Sequence, residues 1–324
     1  MLDAHGREID YIRISLIDRC NLRCVYCMPE EGFTLTAREE LLTYGEIEKI
    51  CRMMADMGLK KIKLTGGEPL VRRNLSELVR RLKKIPGIEK VTLTTNAVLL
   101  AQHMEELSEA GIDSINISLD TLDRKLYQEI TRRDRILDVK KGLQAALRHP
   151  EISLKINCVP MGLPGQDLVE IAQLAQNNKL HVRFIEMMPI GYGKNFRFTG
   201  EAEIIEKLEQ KFGKAEIFTG RLGNGPCHYY DFEGFQGKIG FISAISHKFC
   251  DKCNRVRLTS QGFLKTCLQY NIGNDLKKPL RAGASEEELK NLIADTIAAK
   301  PIGHRFLESD IADENNLNMS QIGG

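Results

Sequence analysis

Between residues 11 and 188 the chain alternates two hydrophobic rhythms. Short β-rich runs read as strands: YIRISLI (11–17), KKIKLT (60–65), KVTLTT (90–95), DSINISL (113–119), ISLKINCV (152–159) and HVRFIEMM (181–188). Between them, near 43–57, 74–84, 102–110, 123–147 and 166–178, apolar residues recur at helical spacing. Strand–helix alternation predicts a parallel sheet with crossover helices. Six repeats predict an α/β protein built as a partial (β/α)6 TIM-like barrel, with a C-terminal region closing its open side.

After residue 188 the rhythm changes. MMPIGYGKNFRFTG (187–200) is a glycine-bearing connection, followed by a helix near 201–212 and strand-like segments with turn signals, TGRLGNGP and FEGFQG. A second helix pattern lies near 285–299, with Ser285 as its N-cap. The end, ADENNLNMSQIGG, is polar and aperiodic. These shifts divide the chain into a barrel unit, 1–190, and a C-terminal region, 191–324.

Composition narrows the function classes. The 324 residues, 42% apolar, can bury a sizeable core. Lysine and arginine total 46 against 44 acidic residues, so nucleic acid is not an expected partner and any anion site must be local. MLDAHGREIDYIRISL has no signal-peptide character, and no apolar run approaches the roughly 18 residues that span a bilayer, which predicts a cytoplasmic protein without a membrane partner. Nine cysteines in a reducing compartment point to metal or redox roles where they cluster. Cys51, Cys158 and Cys227 stand alone and are expected to be buried structural thiols.

CNLRCVYC (20–27) places Cys20, Cys24 and Cys27 at C-x3-C-x2-C spacing on the loop after the first strand, the end of a parallel sheet where active sites are built. A structural zinc takes four protein ligands, commonly as two separated pairs, and this spacing fits that poorly. A [4Fe–4S] cluster can accept three thiolates and leave one iron open. With Tyr26 before the last cysteine, the motif resembles the signature of the radical S-adenosylmethionine superfamily. The resemblance implies that S-adenosylmethionine chelates the open iron and that its cleavage yields a 5′-deoxyadenosyl radical, which takes a hydrogen atom from substrate. TGGEPLVRR (65–73) carries Gly66-Gly67-Glu68-Pro69 after the second strand, similar to the GGEP motif of that superfamily. Paired glycines let backbone approach a ligand closely.

Cys250, Cys253 and Cys267 lie in HKFCDKCNRVRLTSQGFLKTC. Spacing alone leaves two readings open, a Cys3His zinc site using His247 or a second iron–sulfur cluster. The run CDKCNRVRLTSQGFLKTCL and the ending MSQIGG resemble the GTP 3′,8-cyclase family, which opens molybdenum cofactor biosynthesis, and the likeness extends over essentially the whole chain. It implies two [4Fe–4S] clusters, with S-adenosylmethionine at the first and GTP at the second. The implied lyase-type reaction is hydrogen abstraction at ribose C3′, attack on guanine C8, then reduction and protonation to (8S)-3′,8-cyclo-7,8-dihydroguanosine 5′-triphosphate. Implied S-adenosylmethionine contacts are Tyr26, Gly67, Ser118 and Met188; implied GTP contacts are Arg13, Lys63, Thr94, Lys155, Arg255, Val256 and Arg257. Gly323 and Gly324 are implied to enter the active site and support radical initiation. Lys63 stands where many members carry arginine, so charge is kept but the bidentate fork is lost. A flavodoxin- or ferredoxin-type electron donor, a homodimer and transfer of product to the next enzyme of the pathway are implied as well. The alternative is a radical S-adenosylmethionine peptide-modifying enzyme with an auxiliary cluster, which would be expected to carry more C-terminal cysteines.

The cations can be read without the resemblance. A triphosphate must be met by fixed positive charge, and near-neutral composition requires each cation to be placed individually. Arg13, Lys63, Lys155, Arg255 and Arg257 each interrupt a β-type run where an apolar residue would otherwise pack, and inward cations are costly unless paired. Planar guanidinium groups suit phosphate oxygens, favouring Arg255 and Arg257 as contacts. His103, His149, His181, His228 and His304 show no ligand spacing. Glu68 and Asp120 receive no general-base role, because hydrogen-atom abstraction requires none.

Overall fold

The structure, a computed structural model, describes residues 1–197, 199–220, 222–306, 308 and 319–322. All six expected strands form: β1 (Tyr11–Ser15), β2 (Lys61–Thr65), β3 (Lys90–Thr95), β4 (Ser114–Ser118), β5 (Ser153–Cys158) and β6 (Leu180–Ile185), each parallel to the next. Their connections carry α1 (Tyr44–Asp56), α2 (Leu75–Lys83), α3 (Leu100–Glu109), α4 (Arg124–Thr131), α5 (Ile136–Leu147) and α6 (Leu168–Asn177). Helix α1 starts where Thr43 and Glu46 form a capping box, and it buries Ile47, Ile50, Met53 and Met54 against the sheet.

Parity along the strands separates a core face from a cavity face. Ile12, Ile14, Ile62, Leu64, Val91, Leu93, Ile115, Ile117, Leu154, Ile156, Val182 and Phe184 belong to one buried apolar core. Each such side chain contributes roughly 1.5–3 kcal/mol by leaving water. Alternate positions on the same strands, Arg13, Lys63, Thr94, Asn116, Lys155 and Arg183, line a cavity instead.

The single helix expected over 123–147 is two, because Arg132 adopts a left-handed φ of 55°. The break has a tertiary cause. Arg132 Nη1 donates to the carbonyls of Arg23 (3.1 Å) and Met28 (3.0 Å), pinning the cysteine loop to the end of α4. The described residues of TGRLGNGP and of FEGFQG form no strand, and the strands lie beside these segments.

The C-terminal region contributes α7 (Glu201–Phe212), β7 (Glu216–Phe218), β8 (His228–Asp231), β9 (Ile239–Ile242), β10 (Arg255–Leu258), β11 (Phe263–Lys265), β12 (Gly273–Asp275), α8 (Lys277–Arg281), α9 (Glu286–Ala298) and α10 (Met319–Ile322). Ser285 caps α9 in a capping box with Glu288, as expected. The helices α8 and α10 are too short for a periodic signal in the sequence. The sheet order is β12-β11-β10-β1-β2-β3-β4-β5-β6-β9-β8-β7. Strand β9 extends the β6 edge in parallel and β10 the β1 edge, so the connection between them, residues 243–254, crosses the open side of the partial barrel. Cys250 and Cys253 ride on that crossing. Among the described residues no helix is long and apolar enough to cross a membrane.

Candidate active site

The loop after β1 brings Cys20, Cys24 and Cys27 together at the C-terminal ends of the strands. The backbone N–H groups of Cys27 and Met28 donate to the Cys24 carbonyl at 2.9 and 3.1 Å, and the Leu22 N–H points to Cys20 Sγ at 3.4 Å. Burial first, then Glu68, pushes the Cys20 thiol up to about 12. Burial and the neighbouring Cys27 and Cys20 push Cys24 well up. Thiols that oppose one another's ionisation this strongly make a site suited to a positively charged metal core.

The glycines after β2 are held close to the chain itself. A Cβ on Gly66 would stand 2.7 Å from the Ile17 carbonyl oxygen, and one on Gly67 2.3 Å from that of Arg19. Their backbone approaches the cysteine loop itself, with the Gly67 N–H donating to Ile17 O (2.6 Å) and the Glu68 N–H to Arg19 O (2.8 Å). The Glu68 carboxylate accepts from Thr95 Oγ1 (2.7 Å) and the N–H groups of Asn96 (2.7 Å) and Leu70 (3.0 Å), and burial still raises it to about 7.

Beside Cys24 a small cavity of about 30 Å³ is lined by Tyr26, Asn96, Ser118, Asp120 and Tyr127 among others. Tyr26 donates to Asp120 Oδ2 at 2.8 Å, and the Val159 N–H donates to the other carboxylate oxygen at 2.8 Å. Burial raises Asp120 to about 6. Tyr26 and Ser118 thus meet at one cavity, whereas Gly67 and Met188 sit on the loops after β2 and β6 at the same end of the barrel and do not line it. This end is rich in thiols and buried carboxylates, and an added positive charge would stabilise it.

Deeper in the barrel the charge is reversed. A cavity of about 270 Å³ is lined by Arg13, Lys63, Thr94, Lys155 and Arg255, all marked in the sequence, and also by Tyr11, Asn116, Asn157, His181, Arg183 and the loop 222–227 among others. Its one carboxylate among the described residues, Asp113, is already paired with Lys83 (2.8 Å) and Lys90 (3.3 Å). Register places Arg257, Arg13 and Lys63 side by side on β10, β1 and β2. Burial, then Arg183, Arg13 and Lys155, drives the Lys63 ammonium well below the usual lysine range. Burial and Arg183 lower Lys155 to about 8. Lys63, Lys155, Arg183 and Arg255 have no carboxylate partner among the described residues. Arg183 leans on neutral groups, Asn157 Oδ1 (3.0 Å from Nε) and Asn116 Oδ1 (2.8 Å from Nη2). Lys63 and Lys155 are buried and Arg183 and Arg255 half-buried, so an anion bound among them would be stabilised by all four.

Three expectations change here. Val256 has its side chain in the apolar core, one step out of phase with Arg255 and Arg257, so any substrate contact from it would be through backbone. Cys227, unlike buried Cys51 and Cys158, is half-buried in the cavity wall, its thiol raised to about 11 by burial against the pull of Arg183 and Lys155. His181 lines the cavity despite lacking ligand spacing; its Nδ1 accepts from the Lys238 N–H at 3.0 Å. Burial and the surrounding cations lower its pKa to about 4, keeping it neutral. Arg183 was discoverable, because it interrupts its strand as Lys155 does; the 222–227 loop arrives from outside the barrel and leaves no local trace.

Arg257 does not line this cavity; its Nη1 donates to the carbonyl of Ile322 at 3.4 Å, and Ile322 is buried. Gly323 and Gly324 lie outside the described residues.

At the second triad, Cys250 and Cys253 bracket one short turn, with the Cys253 N–H donating to the Cys250 carbonyl at 3.2 Å. Burial pushes the Cys253 thiol up, but Arg255 and then Lys300 outweigh it and bring the group down to about 7, favouring the thiolate that ligates metal. A Cβ on Gly303 would stand 3.2 Å from Cys250 Cβ, so the facing strand of chain is flush against the triad. The histidine of the zinc alternative is engaged elsewhere: His247 is exposed, its Nδ1 3.8 Å from Glu201. Among the described residues no three His, Cys, Asp or Glu side chains converge on the position of one metal ion. Three thiols with no fourth protein ligand are a donor set that a four-iron cluster can use, leaving one iron open.

Comparison with known proteins gives two family-model matches. The family model described as Radical SAM superfamily matches residues 14–177, and that described as Molybdenum Cofactor Synthesis C matches residues 180–306. The chain is 44% identical to a GTP 3′,8-cyclase of Heliobacterium modesticaldum and 45% identical to one of Pelotomaculum thermopropionicum, each alignment covering 100% of both chains. Among solved structures it resembles Streptococcus suis SuiB bound to S-adenosylmethionine, with a TM-score of 0.59 at 16% identity over 92% of this chain and 66% of that one. It also resembles native anSMEcpe with bound S-adenosylmethionine and Cp18Cys peptide, with a TM-score of 0.57 at 14% identity over 91% and 81% of the two chains. At these identities the two structures speak to the fold alone.

Proposed function

This chain belongs to the GTP 3′,8-cyclase family of the radical S-adenosylmethionine superfamily, and from that membership we propose that it converts GTP to (8S)-3′,8-cyclo-7,8-dihydroguanosine 5′-triphosphate, the first step of molybdenum cofactor biosynthesis. The observation that carries the reading is the polarity of the barrel, with thiols and carboxylates at one end and a cavity of mutually repelling cations at the other. A nucleoside triphosphate supplies an anion for that cavity.

Cys20, Cys24 and Cys27 would hold one [4Fe–4S] cluster, and Cys250, Cys253 and Cys267 a second. When bound, the first cluster with S-adenosylmethionine supplies a 5′-deoxyadenosyl radical. Tyr26, fixed by Asp120, forms with Ser118 one wall of that cofactor's place, and Gly67 and Met188 complete the rim. Arg13, Lys63, Lys155, Arg183 and Arg255 neutralise the triphosphate, with His181 as a neutral donor. Thr94 Oγ1, which accepts from Asn116 Nδ2 at 3.4 Å, keeps its own proton to donate to the nucleotide. Val256 contributes backbone only, and Arg257 holds the tail at Ile322 so that Gly323 and Gly324 reach the site and support radical initiation.

The remaining parts of the reading belong to the same proposal: a lyase working in the cytoplasm as a homodimer, with a barrel unit of 1–190 and a C-terminal region of 191–324. A flavodoxin- or ferredoxin-type donor supplies electrons, and the labile product passes to the next enzyme. Anaerobic turnover with GTP, S-adenosylmethionine and dithionite, followed by mass spectrometry, is expected to yield the cyclised triphosphate from wild type and none from Cys250→Ala. Cyclised product from the variant would contradict the role given to the second triad.

A further inference from the structure

Three buried cations surround the second cysteine triad from parts of the chain far apart in sequence. Arg7 is 8% exposed; its Nε donates to Asp3 Oδ2 (2.6 Å), Nη1 to the carbonyls of Cys250 (2.7 Å) and Ile302 (2.9 Å), and Nη2 to that of Pro301 (2.7 Å). Lys300, 4% exposed, donates to the carbonyls of Arg255 (2.9 Å) and Thr266 (2.6 Å), the latter directly before Cys267. Lys265, fully buried, donates to the Tyr270 carbonyl just past Cys267. Every cysteine-bearing stretch is therefore tied down through a backbone carbonyl.

The two lysines pose a problem that Arg7 does not. Arg7 has Asp3 as counter-ion, whereas no ion pair of the described residues includes Lys265 or Lys300. An ammonium buried without an anion is strongly unfavourable. The anions within electrostatic reach are the cysteines, Cys267 for Lys265 and both Cys253 and Cys267 for Lys300. We propose that Lys265 and Lys300 are the fixed counter-charges of the second cluster, holding it in place and raising its reduction potential. The inference rests on the reading that Cys250, Cys253 and Cys267 hold a [4Fe–4S] cluster. Three thiolates leave such a cluster with net negative charge, which deepens on one-electron reduction, so each buried cation nearby favours the reduced form. The first triad has two carboxylates, Glu68 and Asp120, in its surroundings against one cation, Arg23.

The test uses the full chain with Cys20, Cys24 and Cys27 all changed to Ala, reconstituted anaerobically with iron and sulfide and without substrate. Iron and sulfide in this parent check the underlying reading, and a parent that binds no cluster overturns that reading and the inference with it. In a loaded parent, redox titration followed by electron paramagnetic resonance gives the potential. Lys300→Met and Lys265→Met are each expected to shift it to more negative values, and Lys300→Arg to leave it near the parent value. A purely structural brace would lower iron content without moving the potential of the clusters that do load, so an unshifted potential in Lys300→Met overturns the proposal. If neither Met variant loads a cluster, restored loading in Lys300→Arg supports the counter-charge role, and failure to restore it counts against it.

Discussion

Replacing Lys155 with Met should make the ligand-free protein more stable and its hold on GTP weaker. Lys155 is 5% exposed, and its Nζ donates to Ser153 Oγ at 2.7 Å. Burial and then Arg183 lower its pKa from 10.5 to about 8, so keeping it charged at neutral pH costs about 3 kcal/mol relative to an exposed lysine. Coulomb's law gives the same scale, since two unit charges ~7 Å apart at an effective dielectric of ~20 repel by about 2.4 kcal/mol. The lost hydrogen bond to Ser153 offsets about 1 kcal/mol of that relief. Lys155→Met is therefore expected to stabilise the ligand-free fold by about 1–2 kcal/mol, or roughly 2–4 °C in Tm. With GTP bound the sign reverses, because losing one partner of a buried charge pair costs about 2–4 kcal/mol, which is roughly 30- to 1000-fold in KM. A pH signature accompanies this. The folded pKa lies below the unfolded one, so between about pH 8 and 10.5 the unfolded chain binds more protons and wild-type stability rises with pH. The variant should lose that contribution. Anaerobic melts from pH 7 upward, with and without GTP, together with KM for GTP, measure all three effects. A variant that melts below wild type without GTP yet keeps its KM would refute the reasoning.

Gly67→Ala would place a Cβ 2.3 Å from the Arg19 carbonyl, so the first triad should fail to load while the second does; iron per chain is expected to fall to about half, and full iron would contradict the close-approach argument. Residues added after Gly324 should impair turnover without changing iron content, because Arg257 already draws the chain into the barrel at Ile322; full activity in such a fusion would end the case for the tail.

Local signals were the legible ones. The cysteine loop, the GGEP turn and the six strands each declare themselves within a dozen residues, and Arg13, Lys63 and Lys155 stand out because an ion interrupts an apolar run. Arg183 follows the same rule in HVRFIEMM, yet its meaning depends on Asn157 and Asn116 from two other strands. The split of α4 from α5 could not be read, since Arg132 is held in its left-handed conformation by carbonyls more than a hundred positions away. The same applies to the pairing of β10 with β1 and to the 222–227 loop over the cavity: both are long-range contacts, and no periodicity encodes them. Resemblance marked Arg255, which lines the cavity, along with Arg257, which meets the chain at Ile322, and Val256, whose place in the alternation turns its side chain into the core.

On the proposed function, the cation-lined cavity holds GTP for a radical formed at the other end of the barrel. The most direct test is anaerobic incubation of reconstituted protein with S-adenosylmethionine, dithionite and GTP deuterated at C3′, followed by isotope analysis of 5′-deoxyadenosine. Deuterium should appear in 5′-deoxyadenosine in the presence of GTP and disappear in Cys250→Ala. Unlabelled 5′-deoxyadenosine, formed at a rate indifferent to GTP, would contradict the account.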